Sequence, residues 1–235
     1  MNVAGALITV PQAGELKWLL AAFGTDGYRP RSLIIGRLEC HVFDDLAMLF
    51  TVAGHGKTQH AVQTQHLIDQ MATIQAVICA GAAGSLRPDM KLGDVLVGLS
   101  TVEHDYKLRF VQRPLPRHDA DAQLVDEFRR VARHMNSQFK VLFGDIASGD
   151  EDVVDLARAA ELAKATGASC VAWEGAGAAR AARFSRLPFL ELRAITDSAN
   201  HSAANDFHTN LEHAMPNLAQ VLLKWSLLRR SARTT

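Results

Sequence analysis

Short apolar runs alternate with stretches of helical spacing along almost the whole chain, and nothing else in the sequence limits its fold so strongly. Ala4–Val10 reads as a buried strand, and Glu15–Phe23 then sets Leu16, Leu19, Leu20 and Phe23 on one side of a helix. Gly24–Pro30 is turn-rich, and Ser32–Ile35, Cys40–Phe43 and Ala47–Thr51 read as a meander of strands. Thr58–Thr73 is helical, with Ala61, Thr64, Gln65, Ile68 and Met71 on a mixed face. Ala76–Cys79 lacks alternation, as expected of a strand covered on both sides, and Asp94–Leu99 is another strand. Pro114, Pro116 and His118 fall in a loop. Asp121–His134 is an amphipathic helix with Leu124, Phe128 and Val131 inward, and Phe139–Ala147 is a strand. Asp155–Thr166 is a helix that Gly167 can close with a left-handed cap. Cys170–Ala172 is a short strand, Gly175–Phe184 an Ala/Gly-rich helix and Pro188–Ile195 a strand. A last helix covers Phe207–Leu228, with Pro216 as a point of kinking, and the basic tail beyond it is expected to fray.

Strands alternating with helices specify an α/β fold around a mixed central sheet. No repeat, low-complexity tract or linker divides the 235 residues, a length that one domain can fill with a large core. Lys+Arg and Asp+Glu both number 25, so the chain lacks the basic footprint of a nucleic-acid binder, and a ligand must be recognised by a local site. The three cysteines, Cys40, Cys79 and Cys170, are far apart and form no CxxC pair. That argues against a disulfide framework or a cysteine zinc site, and for buried thiols in a reducing cytoplasm. The first residues lack the charged start of a signal peptide, and no stretch approaches the ~20 apolar residues of a membrane span.

In open α/β sheets ligands bind beyond the carboxyl ends of the strands, so polar residues there are the candidates. Two glycine-rich pieces, Ala53–Lys57 and Ala80–Ser85, are read between a strand and a helix. Glycine lets backbone N–H groups approach an anion or a sugar hydroxyl, although tight turns explain these pieces equally well. The first resembles a phosphate loop without its full spacing. Glu174 follows a strand and starts a helix, where a carboxylate can accept two hydrogen bonds at once, as a ribose 2′,3′-diol would offer. Trp173 beside it can form a flat apolar wall. Asp197 directly follows a buried strand, where desolvation would raise its pKa and suit it to donate a proton. Glu15 follows the first strand after Pro11–Gly14 and can activate water. Taken singly, each acid is explained as well by a helix start, a cap or a turn.

Together these segments resemble the nucleoside phosphorylase/nucleosidase superfamily, most of all the methylthioadenosine/S-adenosylhomocysteine nucleosidases. The resemblance runs in order through Val52-Ala53-Gly54-His55-Gly56-Lys57, Cys79–Leu86, Lys91–Val95, His104-Asp105, Ala147–Asp150, Val171–Gly175 and Arg193–Asp197. It spans residues 4 to 225 and implies a three-layer αβα domain, a homodimer or larger homo-oligomer, and no metal or organic cofactor. It assigns Asp197 to the purine N7, Glu174 to the ribose hydroxyls, and Trp173 to a position where the family usually has methionine against the ribose. It assigns Glu15 to the attacking water, and it places Arg193 near the water or phosphate site of relatives, with Gly81 and Ala82 beside the substrate.

The chemistry agrees with those roles. Breaking the C1′–N9 bond leaves positive charge on the ribose and negative charge on the base, so one carboxyl must protonate the base and another must serve the water. Two departures stand out. Glu151, followed by Asp152, occupies the place of a phenylalanine that stacks on adenine, and Ala82 replaces a serine that touches water or phosphate. The expected activity is hydrolysis of a purine nucleoside, such as methylthioadenosine or S-adenosylhomocysteine. Phosphorolysis, with Arg29 and Arg31 as candidate cations, is the alternative, and a nucleoside-binding protein that has lost catalysis is another.

Overall fold

Four parallel strands form the spine of the sheet in the computed structural model, which describes residues 5–234. Their order is β4 (Met48–Val52), β1 (Gly5–Val10), β5 (Ile74–Ser85) and β10 (Phe189–Asp197). An antiparallel meander, β2 (Arg31–Ile35) and β3 (Leu38–Phe43), extends the sheet beyond β4. At the other end β10 pairs antiparallel with β6 (Val95–Glu103), which runs parallel to β8 (Val141–Ser148). The short β9 (Cys170–Ala172) then joins β8 back to β5, so β5, β10, β6, β8 and β9 form a closed circuit. The mixed central sheet expected from the alternation is therefore present, and residue 4 of the expected first strand lies outside the described residues.

Helices cover both faces, and the period-two alternation of the strands decides which residues meet which helix. Ala6, Ile8 and Val10 of β1 pack with α1 (Ala13–Thr25), α3 (Ala122–His134) and α6 (Ala203–Thr234) in one core. Leu7 faces the opposite side, toward α2 (Lys57–Gln70), and Val77 and Cys79 of β5 meet α5 (Gly175–Phe184) there. The remaining helix, α4 (Leu156–Thr166), packs beside β8 and β9. Gly167 closes it at φ 73°, the left-handed cap read from the sequence. Among the described residues no helix is long and apolar enough to cross a membrane.

Five expectations change. Ala80–Ser85 is not a loop; it is the second half of β5, whose backbone pairs with β10 through Arg193↔Gly81, Ala194↔Ala82 and Ile195↔Ala83. His118 lies in a short strand, β7 (Arg117–Asp119), because β6 is long enough to offer it an edge. The inward face of α2 is His60, Thr64 and Leu67, since polar groups rather than apolar ones meet β1 there. The last helix starts at Ala203, after Asn200 turns the chain by accepting the Ser202 N–H at 2.9 Å. It continues through Pro216, and the basic tail stays helical to Thr234. Trp225 anchors that end: its ring stacks on Phe128 at 5.4 Å and its N–H donates to Glu127 at 2.7 Å.

Candidate active site

The carboxyl ends of β1, β4, β5, β8, β9 and β10 converge on one cavity of about 340 Å³. Of the candidate residues, Glu15, Ala82, Glu151, Asp152, Trp173, Glu174, Arg193 and Asp197 all line it. Gly81 does not; its place in the strand is where Glu15 and Arg193 approach the backbone. A Cβ there would lie 2.6 Å from Glu15 Oε1 and 2.8 Å from an Arg193 nitrogen, so only glycine fits.

Glu15, on the first turn of α1, is buried. Its Oε1 accepts the Ala82 N–H at 2.7 Å and its Oε2 accepts the Gln12 N–H at 2.9 Å. The first-turn reading and the functional reading thus describe the same side chain. Burial, and then the nearby charge of Glu174, push its carboxyl up to about 7 despite those hydrogen bonds and the Arg193 charge. Ala82 contributes a backbone donor here, so loss of a hydroxyl at that position leaves Glu15 held.

Arg193 forms the floor. It is fully buried and ion-paired to Glu191 at 2.8 Å and to Glu174 at 3.2 Å, and it donates to the Ala82 carbonyl at 3.2 Å. Glu174 is the residue before α5, as the sequence placed it. Burial alone would raise its pKa, but His55, the Arg193 charge, His60 and the Gly56 N–H outweigh burial and bring it down to about 2. The Gly56 N–H and His55 Nδ1 both sit 3.3 Å from Oε1, and Arg193 holds Oε2. Three of the roughly four acceptor positions of a carboxylate are therefore engaged before any ligand enters, fewer free than the sequence reading supposed.

Asp197 ends β10, at the other side of the cavity. Its Oδ1 accepts the Ala199 N–H at 2.9 Å and Oδ2 accepts the Thr196 hydroxyl at 3.0 Å. Burial raises its pKa against these two bonds. Glu151 is not a free acceptor: Arg158 grips it through two bonds of 2.6 and 2.8 Å. His104 Nδ1 lies 3.6 Å from it, with both ring nitrogens lacking hydrogen bonds among the described residues. Asp152 is exposed at the rim.

The glycine loop before α2 is not a phosphate cradle. Lys57 Nζ is held by Glu103 at 2.9 Å and by Asp105, away from the cavity lining. Arg31, on the far meander, pairs with Asp44 at 3.1 Å, and neither it nor Arg29 lines the cavity. Sequence reasoning missed His55, Thr196, Phe207 and His208, which do line it. For His55 a signal existed: a bulky polar residue between two glycines, both at positive φ (88° and 79°), in a strand-to-helix loop. Phe207 and His208 were read only as the first positions of the last helix, which in fact begins four residues earlier, at Ala203. Among the described residues no cluster of His, Cys, Asp and Glu could hold a metal ion.

Residues 6–225 match the sequence profile of the phosphorylase superfamily. The chain is 31% identical to a 5′-methylthioadenosine/S-adenosylhomocysteine nucleosidase of an Exiguobacterium species, over 76% of this chain and 79% of that one. It is also 31% identical to an aminodeoxyfutalosine nucleosidase of Helicobacter pylori, over 88% and 91% of the two chains. Among solved structures, the futalosine hydrolase of Helicobacter pylori superposes with a TM-score of 0.83 at 26% identity, covering 97% of this chain and 100% of that one. A 5′-methylthioadenosine/S-adenosylhomocysteine nucleosidase from Neisseria meningitidis, in complex with methylthio-immucillin-A, gives 0.82 at 27% identity, covering 94% and 98%.

Proposed function

The chain belongs to the phosphorylase superfamily, and from that membership and the chemistry of its cavity we propose that it hydrolyses the N-glycosidic bond of an adenosine-type nucleoside. Asp197 serves the base side. Burial shifts its carboxyl toward the protonated form, the direction needed by a donor to N7, and protonation there turns the departing purine into a better leaving group. Glu174 stays ionised, retains capacity for one ribose hydroxyl at Oε2, and lies where its charge opposes the positive charge that grows on the ribose. Glu15, held by Ala82 and Gln12, orients a water and takes its proton; a carboxyl with a pKa of about 7 is half ionised at neutral pH and suited to that transfer. Trp173 forms the wall beside the sugar.

Water is favoured over phosphate by one observation: the only arginine among the described residues that line the cavity is already neutralised by Glu191 and Glu174, and Glu15 stands beside it. A phosphate dianion there would meet carboxylates and no unpaired guanidinium. Base release from adenosine, 5′-methylthioadenosine, inosine and guanosine, with and without phosphate, tests the reading. Release without phosphate is expected, and a strict phosphate requirement overturns hydrolysis. A homodimer or larger assembly in the cytoplasm belongs to the same proposal. The exposed Leu108, Phe110 and Val111 on the loop after β6 support assembly, and sedimentation equilibrium checks it.

A further inference from the structure

One residue of the cavity lining, His55, has a hydrogen-bonding nitrogen that the proposed reaction leaves unused. His55 lies in the loop between β4 and α2 and lines the cavity with its side chain half-exposed. Its Nδ1 is 3.3 Å from Glu174 Oε1 and 3.5 Å from the Gln12 amide, and its ring packs against Trp173 at a tilt of 34°, with centroids 4.1 Å apart. One edge and one face of the imidazole are thus fixed. Nε2 lies on the other edge and has no hydrogen-bond partner among the described residues. The bond to Glu174 and its charge favour the protonated ring, in which both nitrogens donate.

Strand order locates this donor along the substrate. The sheet runs β10–β5–β1–β4, so the loop that carries His55 and the strand end that carries Asp197 stand three strand spacings apart, about 14 Å. With the base at Asp197 and the ribose hydroxyls at Glu174, the part of a nucleoside that extends farthest from the base is the C5′ arm. We propose that His55 is a specificity determinant for that arm: its Nε2–H donates to an oxygen acceptor on the 5′ substituent, so that a 5′ hydroxyl or a carboxylate is preferred to an alkylthio group. A thioether sulfur is a weak acceptor and cannot replace the water that its binding displaces from the donor. The inference rests on the nucleosidase reading and refines its substrate.

The test is kcat/KM for adenosine, S-adenosylhomocysteine and 5′-methylthioadenosine, measured for the wild type, His55→Leu and His55→Gln, each checked for folding by thermal melting. The three substrates present a 5′ hydroxyl, a thioether with a distal carboxylate, and a thioether alone. The wild type is expected to favour adenosine or S-adenosylhomocysteine over 5′-methylthioadenosine by about tenfold or more, and which of the two leads identifies hydroxyl or carboxylate. Leucine should bring the ratio near one, chiefly through KM of the oxygen-bearing substrate, while glutamine, which keeps a donor, should retain part of it. A wild-type preference for 5′-methylthioadenosine, or a loss in His55→Leu that is equal for all three, overturns the proposal, the latter by showing that His55 acts only through Glu174. If none of the three releases base, the hydrolase reading fails. Dissociation constants of the same compounds for the wild type and His55→Leu then decide the preference.

Discussion

Asp197 and Glu174 are carboxyl groups at strand ends that line one cavity, yet their surroundings push their pKa values in opposite directions. Burial raises Asp197, whose partners are a backbone N–H and a hydroxyl, whereas Arg193, His55 and Gly56 hold Glu174 ionised. Shifts of opposite sign suit a bond cleavage in which one group gives a proton and another opposes positive charge. Asp197→Asn should preserve shape and remove the proton, so kcat should fall by ~10²-fold or more at unchanged melting temperature; single-turnover base release measures this. Glu174→Gln should narrow the discrimination between a nucleoside and its 2′-deoxy analogue, read as the ratio of their kcat/KM values. These acids were legible in the sequence because each follows an apolar strand. The grip of Arg193 on Glu174 was not, since Arg193 lies 19 positions away on another strand and only the sheet register brings the two together.

At the scale of elements, the strand–helix order was readable and most boundaries fell within a few residues. Two of the misreadings, Ala80–Ser85 and His118, share a cause: sequence signals of turns were taken for turns where strand pairing overrode them. The glycines of Ala80–Ser85 read as a loop, but β10 pairs along the segment and β9 takes up Gly84 and Ser85, and small residues are needed there for side chains to approach. Gly81→Ala tests this. The added methyl must displace Glu15 or Arg193, so activity should fall by at least tenfold, and the pH at which activity is half-maximal should move, as a merely destabilised strand would not require. The tail of α6 read as frayed because its sequence is basic and polar, while Trp225, with the Ser226 hydroxyl bonded to the Leu46 carbonyl at 2.7 Å, anchors it. Trp225→Ala should cost about 3–5 kcal/mol, chiefly through the lost ring and also through the lost hydrogen bond to Glu127, measured by urea unfolding.

The whole molecule carries the cost of burying these acids, and that cost has a pH signature. Glu15 has its ordinary value of 4.5 in the unfolded chain and about 7 in the folded one, so the native state binds the extra proton between those values. Its contribution is therefore fully present below 4.5, is lost as pH rises to about 7, and stays lost above, a penalty on the order of 3 kcal/mol. Glu174 behaves in the opposite sense: its folded value lies near 2, so its stabilisation is present above 4.5 and is lost as pH falls toward 2. Between them the two groups place the stability maximum near pH 5, below the neutral range in which the proposed base must be ionised. Glu15→Gln separates the two demands. An amide can accept only one of the Gln12 and Ala82 N–H bonds, a loss of about 1 kcal/mol, so at pH 5 the variant should melt slightly below the wild type. At pH 8 it escapes the ionisation penalty and should melt several degrees above it, at roughly 2–4 °C per kcal/mol for a chain of this size. Its hydrolytic rate should be low at both pH values, while the wild-type rate should climb through about pH 7. Melting curves and initial rates across that range measure both; a variant that is less stable at pH 8 as well would show that Glu15 is ionised and well solvated in the folded protein, and could not be the poised base that the cavity requires.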